Sequence, residues 1–328
     1  MAPLGSFAPP RIDGAVLNRG LVDASVSFIS RQVRRYDMSS VTLLLFGGEP
    51  LLNPAGCLRL LTGLSFLNLV DAEIVTNGVL LTPPLTRSLA DAGLRRVQVT
   101  FDGDRESHDG VRVTRNGRPT YEAILRNVRA SSAESPELSW NFRVNVSHHN
   151  VKALSGLLED LGAAVGNARQ ITLHLALIDD NGLGYENAVG YDPVLAETFV
   201  ALHQQAIRAG MRVPPSKPLT ACPYCSVVGG ARGAVINADG RLYSCWENAG
   251  REGWDIGDVR HGYAEQDVVE SHWVACDFDI KPHATRGATR RFFDLVDAAA
   301  LDEQLERGKL TQANASRSSR PRREQVVR

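Results

Sequence analysis

Apolar positions along most of this chain switch between a helical period and a strand period. Residues 18–36 repeat at the helical spacing and predict an amphipathic helix, and VTLLLF (41–46) follows as an apolar strand. A helix near 54–67 leads to a strand at 70–76 that ends in Thr76-Asn77-Gly78. The next pair is a helix at 82–93 and the strand RRVQVTFD (95–102), followed by a loop rich in Asp, Gly and Arg. Helix 120–133, strand LSWNFRVNVS (138–147), helix 150–163, strand QITLHLALI (170–178) and helix 192–210 complete the series. Strands joined by helical crossovers predict a parallel sheet, with a site at the strand C-terminal ends.

Parallel strands covered on both faces read as continuous apolar runs. VTLLLF does, but three later strands alternate. Gln98, Thr100 and Asp102 share one face, as do Asn141, Arg143 and Asn145, and then Thr172 and His174. The opposite faces hold Val97, Val99 and Phe101, then Trp140, Phe142, Val144 and Val146, then Leu173, Leu175 and Leu177. Polar residues on one face of successive parallel strands predict a lumen for a polar ligand. The other reading is an antiparallel sheet with one wet face, against which the intervening helices argue.

Composition changes this picture little. The 328 residues are 43% hydrophobic and 22% charged with net charge −1, ordinary values that leave no basic footprint for nucleic acid. No apolar run approaches a membrane span, and MAPLGSFAPPRIDGAV lacks the regions of a secretory signal, so a cytoplasmic setting is expected. Residues 309–328 read as a disordered basic tail. Cysteine placement matters more: Cys57 stands alone, while Cys222, Cys225, Cys245 and Cys276 read C-x2-C-x19-C-x30-C.

The ordered set LFGGEPLL (45–52), TNG (76–78) and VTFDGDRESHDGVRV (99–113), each piece at a strand end, resembles the radical S-adenosylmethionine (SAM) enzymes. The likeness is to their peptide- and protein-modifying branch with a SPASM or twitch extension, and covers roughly residues 18–308. It implies an α/β partial (β/α)6 TIM-like barrel missing its first strand over 18–212, after an irregular segment at 1–17. A small SPASM/twitch-like α+β module would occupy 213–308. Gly47 and Gly48 would let the backbone approach the methionine moiety, with Glu49 adding negative charge beside its amino group. The resemblance places Thr76 and Thr100 at the cofactor, Thr100 at the ribose, and Arg112 at the SAM carboxylate or ribose. Asn145 and Leu177 are candidates for the nucleoside wall. Thr76 and Thr100 read equally as ordinary strand residues, and Arg112 as a partner of Asp109. Asp102, Arg143 and His174 are lumen candidates by strand phase, and no substrate base is assigned.

One departure is large. The family holds its radical-generating [4Fe–4S] cluster on Cx3Cx2C after the first strand, and neither that motif nor that strand is present. Two expectations follow: a sequence that begins inside the family core, or a degenerate homologue that acts as a peptide-binding scaffold. The four grouped cysteines resemble the ligands of one auxiliary [4Fe–4S] cluster, with Cys245 delivered by a hairpin that turns at Ala238-Asp239-Gly240. A zinc site is the rival for four thiolates. Trp246, Trp254 and Trp273 would shield a cluster or simply form the module's core. Trp246 stands where sulfatase-maturing relatives place an Asp base, which counts against that activity. The implied function is a peptide or protein maturase, acting on a ribosomal peptide through a 5′-deoxyadenosyl radical, with SAM, a peptide or protein substrate and an external electron donor as partners.

Overall fold

A computed structural model describes residues 15–165, 170–178, 187–215, 233–246, 248–274 and 283–308. The leading helix α1 (Arg19–Arg35) starts where the Asn18 side chain accepts the Leu21 N–H at 3.1 Å. Strands β1 (Val41–Leu45), β2 (Leu69–Thr76), β3 (Arg96–Phe101), β4 (Ser139–Val146) and β5 (Ile171–Leu177) form one parallel sheet in chain order. Helices α2 (Pro54–Leu64), α3 (Pro83–Asp91), α5 (Tyr121–Glu134), α6 (Leu154–Val165) and α7 (Pro193–Arg208) alternate with the strands or follow them. The architecture is a partial α/β barrel, open between β1 and β5 among the described residues.

Winding in chain order gives the sheet two unlike faces. Ile74, Val97, Val99, Phe101, Trp140, Phe142, Val144 and Leu173 are buried in one core with Leu61, Leu89, Ile124, Leu157 and Phe199 from the helices. The other face keeps the polar residues in register. Gln98 pairs with Asn141 and Asn141 with Thr172; one step nearer the strand ends, Thr100 pairs with Arg143 and Arg143 with His174. The alternation read from the sequence is therefore the inside and outside of a parallel sheet, not a wet antiparallel face.

Two elements depart from the expected pattern. The loop expected after β3 contains a short helix, α4 (Arg105–Val111), whose N-terminus is capped by Asp104 accepting the Ser107 N–H at 3.1 Å. Its seven residues are too few for an apolar repeat to show. At the far end, helix α9 (His283–Glu306) packs on α7, with Phe292, Val296 and Ala300 buried in the barrel core. Two Arg208–Glu303 bonds of 3.0 and 3.1 Å and the Gln304 side chain on the Val213 carbonyl at 2.7 Å fasten the same contact. Part of the stretch that the sequence assigned to the C-terminal module thus completes the barrel wall.

The module itself is built from hairpins β6 (Val235–Ile236)/β7 (Leu242–Tyr243) and β8 (Gly257–Asp258)/β9 (Gly262–Tyr263), with helix α8 (Gln266–His272). The first hairpin turns at Asn237–Gly240, where the Gly240 N–H donates to the Asn237 carbonyl at 2.9 Å. A second core of Leu242, Ile256, Val259, Val269 and Trp273 closes on Leu21 and Phe28 of α1. Because Val22 belongs to the barrel core, α1 is shared by both. No helix among the described residues is long and apolar enough to cross a membrane.

One buried group in α7 makes stability depend on pH. His203 packs against Phe199, its Nδ1 has no hydrogen-bond partner among the described residues, and burial pulls its pKa down to about 4 from 6.5, helped by His174. A histidine with a lowered pKa contributes fully above its unfolded value and loses that contribution as pH falls towards its folded value. Between pH 6.5 and about 4 the protein should lose roughly 3 kcal/mol through this group. Urea midpoints at pH 7 and pH 4.5 check this: His203→Leu should lose distinctly less stability across the interval than the wild type.

Candidate functional site

The strand ends of β1 and β2 are tied by one carboxylate. After Phe46, Gly47 takes a φ of +149°, a conformation that glycine alone adopts without strain. A Cβ placed on Gly48 would meet no heavy atom within 4 Å, so packing gives no reason for a glycine there. Glu49 then accepts three hydrogen bonds: the Leu51 N–H at 3.0 Å, the Thr76 hydroxyl at 2.7 Å and the Asn77 N–H at 2.8 Å. Thr76 in turn accepts the Gly78 N–H at 3.1 Å. The sequence-selected Glu49 and Thr76 are brought together, but onto each other, and they fix the loop rather than offering free groups. Asn53 caps α2 through the Gly56 N–H at 3.1 Å and holds the Leu17 carbonyl at 2.8 Å. Cys57 is buried beneath this loop with its thiol on the Pro50 carbonyl at 3.4 Å. Burial, with Glu49 nearby, pushes that thiol up to about 11, so it is a packing group rather than a reactive thiolate.

At the end of β3 the contacts converge on Asp102. One of its carboxylate oxygens accepts the Asn145 side chain at 2.8 Å and the other pairs with Arg112. Its carbonyl accepts the Asn150 side chain at 2.9 Å, and its N–H donates to His108 Nδ1 at 3.3 Å. His108 is fully buried; Nδ1 accepts, which leaves Nε2–H to donate to the Thr120 hydroxyl at 3.2 Å, and that hydroxyl donates to the Arg112 carbonyl at 2.8 Å. Burial lowers the His108 pKa, as this neutral tautomer requires. Arg112 therefore pairs with Asp102 and not with Asp109. Asp109 accepts the Thr120 and Tyr121 N–H groups at 2.8 and 2.9 Å, at the start of α5.

Asn150, His108 and Thr120 were not singled out by sequence reasoning. Asn150 is buried and also reaches the Asn145 carbonyl at 2.8 Å, stitching β3 to β4. The available signal was an Asn directly ahead of a helix, which reads as an ordinary cap.

Thr100, Asn145, Arg143 and His174 all lie on the polar face, Thr100 directly opposite Arg143. Asn145 accepts Arg143 Nε at 3.1 Å, and Asn141 donates to Gln98 at 2.9 Å. Leu177 falls on the other face, level with Val146, and packs against the barrel core. Lower on β2 and β3, Arg96 pairs with Asp71 and Glu73 at 2.6 and 3.0 Å, closing the N-terminal end of the polar face.

Of the four grouped cysteines, Cys222, Cys225 and Cys276 lie outside the described residues. Cys245 is buried just beyond β7, where its N–H donates to the Asn248 side chain at 3.2 Å. Among the described residues no group of His, Cys, Asp and Glu is arranged to hold a metal. The tryptophans part company. Trp273 is a core residue of the module, and Trp254 lies 6.2 Å from His272 between ring centroids. Trp246, 48% exposed, meets Phe46 of the Gly47-Gly48 loop at 6.4 Å.

A parallel sheet wound in chain order, with a glycine loop after one strand and a polar inner face, defines an α/β-barrel ligand-binding fold. Residues 17–161, under half of the chain, match the profile of the Radical SAM superfamily. The chain is similar to GTP 3′,8-cyclase of Nostoc punctiforme, at 31% identity over 121 residues, 35% of this chain and 36% of that protein. It thus spans only about a third of that relative's length. It is also similar to AdoMet-dependent heme synthase of Methanosarcina barkeri, at 22% identity over 72% of this chain and 74% of that one. Among solved structures, anSMEcpe with bound AdoMet superposes with a TM-score of 0.58 at 13% identity, covering 94% of each chain. anSMEcpe with bound AdoMet and the Kp18Cys peptide gives 0.57 at 12% identity, covering 91% of each chain. These structural likenesses define the fold.

The Glu49 contacts set a measurable stability term. Glu49→Gln keeps one acceptor oxygen for Leu51 and Thr76 but turns an amide NH2 against the Asn77 N–H and removes the charge, and charge-assisted bonds of this kind contribute about 1.5–3 kcal/mol. The variant should be destabilised by about 2 kcal/mol in chemical denaturation, with the unfolding slope unchanged.

Proposed function

We propose that this chain is a SAM-binding protein of the peptide- and protein-modifying branch of the radical SAM superfamily, acting on a peptide or protein held in the barrel lumen. Gly48 carries the reading. Among the described residues a Cβ there has open space around it, which leaves room for a ligand to approach the bare backbone. Gly47 and Gly48 would meet the methionine moiety of SAM, Thr100 and Asn145 would line the nucleoside, and Arg112 would hold the edge of the site from its place on Asp102. Fold likeness to AdoMet-bound and peptide-bound anSMEcpe supports both ligands. SAM supplies, when bound and reductively cleaved, a carbon radical able to abstract hydrogen from a substrate.

This chain's own groups bind and orient. Asp102 holds Arg112 and Asn145 in fixed positions, Asn150 pins the ends of β3 and β4, and Glu49 holds the glycine loop against β2. Cys222, Cys225, Cys245 and Cys276 are the ligand set for one auxiliary [4Fe–4S] cluster, and buried Cys245 beside the Phe46–Trp246 contact would bring that cluster towards the lumen. The radical-generating cluster does not fit the residues present. The sequence holds no Cx3Cx2C, and Cys57 is a buried single thiol, so no radical step is derived for it. A second reading, kept beside the first, is a SAM- and peptide-binding scaffold of the same fold.

Two measurements test the proposal. Gly48→Ala has room for its methyl and no positive φ, so its unfolding midpoint should match the wild type while calorimetric SAM affinity falls tenfold or more. Undiminished SAM affinity in a folded Gly48→Ala sinks the cradle assignment. Anaerobic reconstitution of the full chain should yield about four irons with a broad absorbance near 400 nm and no 5′-deoxyadenosine under strong reductant. A single zinc and no colour would defeat the auxiliary cluster.

A further inference from the structure

Among the described residues, Arg143 on the polar face forms no ion pair. Arg143 lies on the polar face of β4, between Thr100 and His174, and is partly buried. Its Nε donates to Asn145 at 3.1 Å, and its remaining N–H donors have no partner among the described residues. Asp102 is the carboxylate it senses, but the Asp102 oxygens bond Arg112 and Asn145 and no hydrogen bond joins them to Arg143. Lower on the same face, by contrast, Arg96 pairs with Asp71 and Glu73. Burial works against the Arg143 charge and lowers its pKa, with Asp102 offsetting the effect only in part. A guanidinium taken out of water without a counter-ion is costly, and a carboxylate gripped by two parallel N–H bonds recovers that cost.

We propose that Arg143 is the specificity residue of the lumen and recognises a carboxylate presented by the substrate, the side chain of an Asp or Glu residue. This rests on the reading of Gly47-Gly48 as the seat of the SAM methionine moiety. The SAM amino and carboxylate groups share one carbon, so both sit near the end of β1. Arg143 is three strands away, about 14 Å along the sheet. The cofactor's own carboxylate is therefore not the anion that Arg143 awaits. Its Nε bond to Asn145 directs the guanidinium towards the strand C-terminal ends, where a substrate enters.

The test uses calorimetry on the full chain with Ac-Gly-Glu-Gly-NH2 and Ac-Gly-Asp-Gly-NH2 against their Gln and Asn counterparts, and separately with SAM and decarboxylated SAM. The acidic peptides should bind the wild type at least fivefold more tightly than the amides. Arg143→Gln should erase that ratio, Arg143→Lys should retain part of it, and SAM affinity should stay within twofold in both variants. Equal binding of acidic and amide peptides by the wild type overturns the proposal, whether or not Arg143→Gln folds. It is also overturned if Arg143→Gln loses SAM affinity tenfold while decarboxylated SAM binds wild type and variant alike, which assigns the residue to the cofactor. Failure of the SAM reading shows separately, as a wild type that binds no SAM, and leaves the peptide comparison legible.

Discussion

The saturated bonding of Asp102 is the constraint on which the site depends. A charged carboxylate at the end of a buried strand must find donors or lose its charge. Here the donors come from two directions, Arg112 at the end of α4 and Asn145 on β4, while the same residue's backbone groups hold His108 and Asn150. No one of these contacts exceeds a few kcal/mol. Together they fix the spacing of β3 and β4 at the sheet's open end, and they place the short helix α4, which has little apolar surface of its own. The neutral His108 tautomer completes the circuit by donating its Nε2–H to the Thr120 hydroxyl, which in turn donates to the Arg112 carbonyl.

The glycine loop obeys a parallel logic one strand pair away. Glu49 consumes its charge on Leu51, Thr76 and Asn77, so the loop is rigid although Gly47 and Gly48 leave its backbone bare. Rigidity without side chains is what a site for a polar cofactor needs, because a mobile loop would lose ordering entropy on binding. Negative charge held by internal donors is less available to a ligand than the bare carboxylate that the motif suggests. The structure thus gives Glu49 a bracing role in the loop.

Periodicity made the barrel legible because the two faces of each strand experience different solvents. Val97, Val99 and Phe101 against Gln98, Thr100 and Asp102 state that difference directly, and β3 and β4 run within a residue of the expected bounds. The helix α4 and the role of α9 were not legible, for physical reasons. A seven-residue helix is held by its Asp104 cap and by His108, contacts that leave no repeat in the sequence. Helix α9 is amphipathic, but its partner α7 lies some ninety residues earlier, and only the fold brings Phe292 to Phe199. Within the site, Arg112 and Asp102 were each chosen, but their pairing was not, because a turn of α4 separates them and Asp109 stands nearer in sequence. Three of the four grouped cysteines lie outside the described residues.

Helix α1 explains how the C-terminal module can bear on the lumen at all. Successive residues at its start, about 100° apart around the helix, pack into different cores, Leu21 into the module's and Val22 into the barrel's, and Arg31 reaches the Val259 carbonyl at 3.1 Å. Burying both faces of one helix commits the two cores to a fixed relation, since neither can move without exposing apolar surface worth about 25 cal/mol per Å2. That fixed relation sets Trp246 against Phe46, immediately before Gly47, with Cys245 one residue away. The exposed ring pair forms an apolar wall on one side of the lumen mouth, across the sheet from the guanidinium of Arg143. The apolar ring pair and the cation thus lie on opposite sides of the same strand ends, held there by the packing of α1.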